Sequence, residues 1–201
     1  MIYGFNGDDE IWGGDGDDYI EGGALVDGDN MTDLIYGGKG NDVIYAGSSK
    51  KTGGSGTTVW VEGNEGDDWI SGKNNMNSEY LWGGDGDDII YGGDGRNFST
   101  SVISLIAGNS GNDIIYPAYG RGVADDSDAD QGDHVFGGKG DDLINPTEKT
   151  FDANGVQTGW SMSKRELGTA DTGTGSPLNP DVNDRSFWHG DEGDDIIFGA
   201  D

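Results

Sequence analysis

Hydrophobic residues along this chain do not fall at helical spacing. A short apolar step instead returns at a fixed distance behind a run of glycines, in the nine-residue phrase Gly-Gly-x-Gly-x-Asp-x-Ile-x. The phrase reads GGDGDDYIE at Gly13–Glu21, GGKGNDVIY at Gly37–Tyr45, GGDGDDIIY at Gly83–Tyr91 and GGKGDDLIN at Gly137–Asn145. Close variants are GFNGDDEIW at Gly4–Trp12, GNEGDDWIS at Gly63–Ser71, GNSGNDIIY at Gly108–Tyr116 and GDEGDDIIF at Gly190–Phe198, which makes eight copies. Glycine at the first, second and fourth places permits positive φ and predicts a tight turn. The residues around the Ile predict a strand of about three residues with side chains alternating in and out. The eighth place then points inward, giving a column of Ile11, Ile20, Ile44, Ile70, Ile90, Ile115, Ile144 and Ile197. Self-similarity at a fixed period marks a repeat architecture. A Gly/Asp-rich linker has no reason to hold Ile at one offset from Asp eight times.

Between these copies lie degraded ones. Their inward residues read as Ile2, Ile35, Val61, Leu81, Ile106, Val135 and either Phe187 or Trp188. From Ile20 onward the two kinds alternate strictly. Half-turns ending at Ile20, Ile44, Ile70, Ile90, Ile115, Ile144 and Ile197 are regular, and those between them carry insertions.

Composition taken without the period suggests disorder: 40 Gly, 39 acidic against 11 basic residues, a net charge of −28 and 32% hydrophobic residues in a chain of 201. The period overrides that reading, and the charge keeps a different use. It repels nucleic-acid phosphates and anionic membranes. With no Cys there is no disulfide framework, thiol nucleophile or Cys-held zinc. No apolar run is long enough to span a bilayer, and Met1–Glu10 lacks the basic and apolar regions of a signal peptide.

These eight phrases resemble the RTX (repeat-in-toxin) calcium-binding nonapeptide repeats of secreted bacterial proteins. The resemblance implies an all-β fold, a right-handed parallel β-roll (β-solenoid) of about seven coils with two nonapeptides per coil. It also implies that the Asp at the sixth place binds Ca2+ between stacked turns. The residue types suit that use, because calcium takes six to eight hard oxygens from carboxylates and carbonyls. Alternate half-turns stack on the same edge. One edge should therefore hold Asp18, Asp42, Asp68, Asp88, Asp113, Asp142 and Asp195 in a ladder with about six calcium ions or more, while the insertion loops gather on the other. The insertion edge keeps acids only at Asp9, Asp33, Glu79 and Asp133 and should bind fewer ions. The whole of 1–201 reads as one such domain, with 146–186 a long loop insertion inside it. Within that insertion, DANG at Asp152–Gly155 and the polar run at Thr169–Pro177 read as exposed loop, and Ser161–Leu167 as a short helix. A core this thin, in a chain this acidic, should not close without cations.

Other constellations leave two readings each. Asp126, Asp128 and Asp130 have EF-loop spacing, but Gln131 stands where Gly is expected; with the cluster Asp27, Asp29, Asn30 and Asp33, they read as solvated acidic loops or accessory calcium sites. The outward residues Tyr19, Val43, Trp69, Ile89, Ile114, Leu143 and Ile196, with Tyr45, Tyr91, Tyr116 and Phe198, are either ordinary strand formers or a partner surface. Lys39 and Lys139 apart, the basic residues sit in insertions, excluded from calcium turns by repulsion or available to a neighbour's acidic edge. Asn30-Met31-Thr32 and Asn97-Phe98-Ser99 are glycosylation sequons. No H-E-x-x-H, G-x-S-x-G or Walker loop is present, so no enzyme activity is expected.

The reading that follows is an extracellular calcium-binding structural protein that folds on Ca2+ and serves as a scaffold. Its partners are calcium and copies of itself stacked head to tail, since Asp201-Met1-Ile2-Tyr3 joins in repeat register, or a longer array of the same repeats. Nucleic acid and membrane insertion are excluded. The alternatives are a calcium-dependent adhesion module and the non-catalytic RTX region of a secreted toxin or hydrolase.

Overall fold

A computed structural model describes residues 1–23, 32–47, 58–72, 78–92, 105–117, 134–144, 148–151, 157–161 and 187–197. The strands in chain order are β1 (Ile2–Tyr3), β2 (Glu10–Asp15), β3 (Tyr19–Glu21), β4 (Thr32–Lys39), β5 (Val43–Tyr45), β6 (Thr58–Glu65), β7 (Trp69–Ser71), β8 (Ser78–Asp85), β9 (Ile89–Tyr91), β10 (Leu105–Ser110), β11 (Ile114–Tyr116), β12 (His134–Lys139), β13 (Leu143–Ile144), β14 (Glu148–Phe151), β15 (Gln157–Ser161), β16 (Phe187–Glu192) and β17 (Ile196–Ile197). No helix occurs among the described residues.

The strands sort into two parallel sheets. The first has eight strands in the order β1-β3-β5-β7-β9-β11-β13-β17, and the second has seven in the order β16-β12-β10-β8-β6-β4-β2. Chain order thus alternates between sheets, as in a β-roll. Every connection from the second sheet to the first is a regular Gly-rich turn. The connections back hold the insertions, apart from the short Gly4–Asp9 turn. Regular turns and insertions therefore occupy opposite edges, as the alternation in sequence required.

Register follows the inward columns. Ile20 pairs with Ile44, Ile44 with Ile70, Ile70 with Ile90 and Ile115 with Ile144. In the second sheet Ile35 pairs with Val61, Val61 with Leu81, and Val135 with Trp188. Trp188, not Phe187, is thus the inward residue of the last coil. These side chains form one core, and Ile20, Ile44, Ile70, Ile90, Ile115 and Ile144 are each 0% exposed. Burying each Ile contributes roughly 2–3 kcal/mol.

The structure departs from the sequence expectation in three places. First, second-sheet strands run to eight residues instead of about three. They continue into the first three places of the next turn, where Gly14 pairs with Gly38 and Asp15 with Lys39. Second, the long insertion contains two strands, β14 and β15, that pair antiparallel. The DANG stretch, Asp152–Gly155, lies outside the described residues. Third, Ser161 closes β15 instead of opening a helix, and the rest of the expected helix lies outside the described residues. So do Phe198, the acidic run 125–133, both sequon asparagines and the run Thr169–Pro177.

Candidate metal centre

The regular edge stacks its aspartates into a continuous ladder. The backbone N–H of each sixth-place Asp donates to Oδ1 of the Asp in the next coil. Asp18 donates to Asp42 at 2.8 Å, Asp42 to Asp68 at 2.7 Å, and Asp68 to Asp88 at 2.7 Å. Asp88 donates to Asp113 at 2.8 Å, Asp113 to Asp142 at 2.8 Å, and Asp142 to Asp195 at 2.9 Å. All seven predicted ladder residues are brought together. The five interior members are 1–2% exposed, whereas Asp18 and Asp195, at the two ends, are half-buried.

Oδ1 is thereby satisfied and Oδ2 is not. The Oδ2 atoms of Asp42, Asp68, Asp88, Asp113 and Asp142 are buried with no hydrogen-bond partner. Each turns back over the first glycine of its own turn. A Cβ at Gly37, Gly63, Gly83, Gly108 or Gly137 would run into the Oδ2 of Asp42, Asp68, Asp88, Asp113 or Asp142. The same Cβ would meet the carbonyl oxygen of the first glycine one coil on, at 2.7 Å for Gly63 O beside Gly37 and for Gly108 O beside Gly83. A carboxylate oxygen and a carbonyl oxygen thus crowd one side-chain-free point in turn after turn. Buried polar atoms normally have partners, and an unpartnered Oδ2 with a carbonyl oxygen beside the same glycine is a pair of hard oxygens that fits a cation.

Electrostatics point the same way. Burial, with the neighbouring aspartates adding to it, pushes the carboxyls of Asp68 and Asp113 up to about 7, Asp88 to about 8 and Asp142 to about 6; Asp42 is raised for the same reason. The ladder N–H bonds oppose the rise without cancelling it. At neutral pH this favours a proton on Asp88 and partial protonation of Asp68 and Asp113, a cost that a nearby cation would offset.

The turn backbone explains the variant repeats. The second-place glycines hold positive φ, such as 120° at Gly38 and 133° at Gly84. In three copies Asn64, Asn109 and Asp191 take that place at φ 80°, 79° and 70°. Short polar side chains are the ones that tolerate the left-handed region. Phe5 does the same at φ 73° on the insertion edge, without that excuse.

The sequence reading missed a second ladder. The fifth place is Asp or Asn in every copy, and its side chain accepts from the backbone one coil later. Asn41 N–H donates to Asp17 at 2.9 Å, Asp67 to Asn41 at 3.0 Å, Asp87 to Asp67 at 2.9 Å and Asp194 to Asp141 at 2.9 Å. This outer, exposed ladder runs opposite in sense to the inner one, so each pair of turns is tied from both directions. The restriction to Asp and Asn was the signal available in the sequence.

On the insertion edge the first coils imitate a regular turn. Asp9 N–H donates to Asp33 Oδ1 at 3.1 Å, Thr32 N–H donates to Asp8 at 2.9 Å, and Asp9 Oδ2 is buried without a partner. Burial pushes Asp33 up to about 6. Glu79 is buried farther along, at 1% exposure. Asp133 lies outside the described residues. Among the described residues no three His, Asp or Glu side chains converge on one point. The donor set is instead one carboxylate per turn with backbone carbonyls, all hard oxygen, which fits calcium.

The fold and its ladder define a class: a parallel β-roll whose turns are lined for hard divalent cations. The chain belongs to the RTX calcium-binding nonapeptide repeat family, whose model matches residues 2–24, 27–50, 60–74, 78–98, 104–117, 129–145 and 189–201, more than half of the chain. What that match covers is a calcium-binding repeat region. Comparison with the curated proteins finds no match.

Proposed function

We propose that this module is an extracellular structural element that folds on calcium. One ion sits between each pair of successive regular turns, about six in all, held by Asp18, Asp42, Asp68, Asp88, Asp113, Asp142 and Asp195 with the first-glycine carbonyls. A smaller set sits on the insertion edge at Asp9 and Asp33, with Asp133 a further candidate. The observation that carries this is the column of buried Oδ2 atoms without partners. Extracellular calcium, at about 10⁻⁴–10⁻³ M, suits sites of this kind. Residues 1–201 act as one domain, with 146–186 as an insertion in it. The scaffold role, with copies meeting head to tail, is supported by the terminal strands β1 and β2 at one end and β16 and β17 at the other, which among the described residues pair on one side only. Those edges equally suit further repeats in a longer chain.

The test has three parts. Far-ultraviolet circular dichroism should show parallel-sheet signal in calcium and lose it in EDTA. Equilibrium dialysis should count about six tightly held ions or more. Sedimentation should show calcium-dependent growth into rods. Retained sheet signal in EDTA would sink the folding role, and a monodisperse monomer in calcium would remove self-stacking.

A further inference from the structure

The two ends of the roll are complementary to each other. Among the described residues the large exposed hydrophobics all sit on the terminal coils: Met1, Tyr3, Phe5 and Trp12 at one end and Ile196 at the other. The inward columns of the first sheet end in Ile2 and Ile197, which are only partly buried. The Gly4–Asp9 turn differs from the other connections on its edge. It carries no insertion and keeps the backbone of a regular turn, with φ 127° at Gly7 as against 129° at Gly66, and 73° at Phe5 as against 80° at Asn64. A Cβ at Gly4 would meet Asp9 Oδ2 at 2.6 Å, as in the ladder turns. No described turn lies before it on that edge. At the other end, Gly190–Asp195 is a regular turn with no described turn after it. Asp195 Oδ2 lies against Gly190 there. The first-glycine carbonyl that each interior gap takes from the next coil, as Asp142 has from Gly190, is not supplied.

We infer that a second copy supplies it, rotated by half a turn about the roll axis, and that the two copies share a calcium ion. The sheets dictate the rotation. Among the described residues eight strands lie in one sheet and seven in the other, and both β1 and β17 belong to the larger. A copy stacked without rotation sets its β1 on β17 and leaves a one-strand gap between β16 and its β2. The half-turn sets its β1 on β16 and its β2 on β17, and both sheets continue. In that register the second copy's Ile2 follows Trp188, its Ile11 follows Ile197, and its Gly4–Asp9 turn lies on Gly190–Asp195. The second copy's Tyr3 follows His189, which already stacks on Phe136 at 5.5 Å. Its Gly4 carbonyl then meets Asp195 Oδ2, and its Asp9 Oδ1 meets the Asp195 N–H, repeating the contacts of Asp142 with the turn after it. The ion held there is all-oxygen ligated and offsets the repulsion between chains of net charge −28. Successive copies rise by about 36 Å, half of roughly 4.8 Å for each strand of the roll, and their insertions face alternate sides. The half-turn rests on the self-stacking proposed above and adds to it a geometry and a shared ion.

The chain has no Cys, so an engineered pair reports the register. Asn6 and Glu192 hold the third place of the two facing turns, and both are exposed. Neighbouring strands about 4.8 Å apart fit a disulfide. The full chain with Asn6→Cys and Glu192→Cys, oxidised in saturating calcium, should give covalent ladders on non-reducing gels, and none in EDTA. Asp195→Asn keeps the Oδ1 that accepts from Asp142 and loses the charge at Oδ2. It should raise the concentration needed for stacking at least tenfold in sedimentation, with the calcium-induced dichroism unchanged. If it fails that dichroism control, the cross-link alone carries the test, since both of its side chains lie in solvent. Folded wild type that stays monomeric in calcium overturns the half-turn and self-stacking together. Stacking without the cross-link, or stacking as tight in Asp195→Asn as in wild type, overturns the rotated, calcium-bridged junction and leaves self-stacking standing.

Discussion

Replacing Asp88 by Asn tests the ladder most directly, because its effect should change sign with calcium. Asp88 sits mid-ladder at 1% exposure. Its Oδ1 accepts from Asp68 N–H at 2.7 Å, its own N–H donates to Asp113 at 2.8 Å, and its Oδ2 is buried without a partner near the Gly108 carbonyl. Asn keeps the acceptor and places an amide donor where Oδ2 was. Without calcium, burial raises the Asp88 carboxyl from 3.8 to about 8, so at pH 7 the folded chain must take up a proton there. At about 1.4 kcal/mol per pH unit above the ordinary value, the ceiling on that cost is roughly 4 kcal/mol, and screening by water in the turns brings the observable to about 2 kcal/mol. Asp88→Asn removes this cost. In EDTA, with folding driven by an excluded osmolyte, the variant should need less osmolyte than wild type. In calcium it loses a charged ligand, and affinity at the adjoining gaps should fall ten- to a hundredfold, about 1.4–2.8 kcal/mol, seen as a lower Tm at subsaturating calcium. Destabilisation in both conditions would falsify the view that Asp88 Oδ2 faces a cation site.

Four further outcomes follow from the same geometry. Asp68, Asp88, Asp113 and Asp142 have folded values of about 6–8, above their unfolded value of 3.8. The metal-free roll should therefore be most stable below about pH 4 and lose that stability progressively as pH rises from there through the folded values of about 6–8; dichroism in EDTA from about pH 4 to 8 checks it, and calcium binding near pH 7 should release protons in calorimetry run in buffers of different ionisation heat. Gly83→Ala should cost several-fold in calcium affinity or prevent folding, because its Cβ collides with both Asp88 Oδ2 and the Gly108 carbonyl; wild-type calcium titration by this variant would contradict the close packing. Ile90→Ala, at 0% exposure, should lower stability in calcium by about 2–5 kcal/mol in denaturant melts. Phe5→Gly, relieving φ 73°, should raise Tm in calcium slightly, by about 1 kcal/mol or less, and a clear loss would mean that the Phe5 ring contributes packing.

What could be read from sequence was whatever the nine-residue period repeats. A coil that returns to the same place each time puts Ile over Ile and Asp over Asp, so both columns followed from spacing, and the edge to which each belongs followed from the two nonapeptides per coil that the resemblance to RTX repeats implies. What escaped was set across coils or within single insertions. The fifth-place ladder uses a side chain of one coil and an N–H of the next, a pairing no single nonapeptide displays. Trp188 could not be separated from Phe187 until its register with Val135 was known. The β14–β15 pair belongs to an insertion with no second copy to compare. Insertions disturb the period in sequence and leave it intact in space. Asp142 and Asp195 are 53 residues apart, yet they share a ladder bond of 2.9 Å, like Asp68 and Asp88 at a separation of 20. Loop-closure entropy grows only as the logarithm of length. The roll can therefore lengthen one edge freely as long as the other keeps its turns, which places the invariant chemistry on the regular edge and leaves variation to the opposite one.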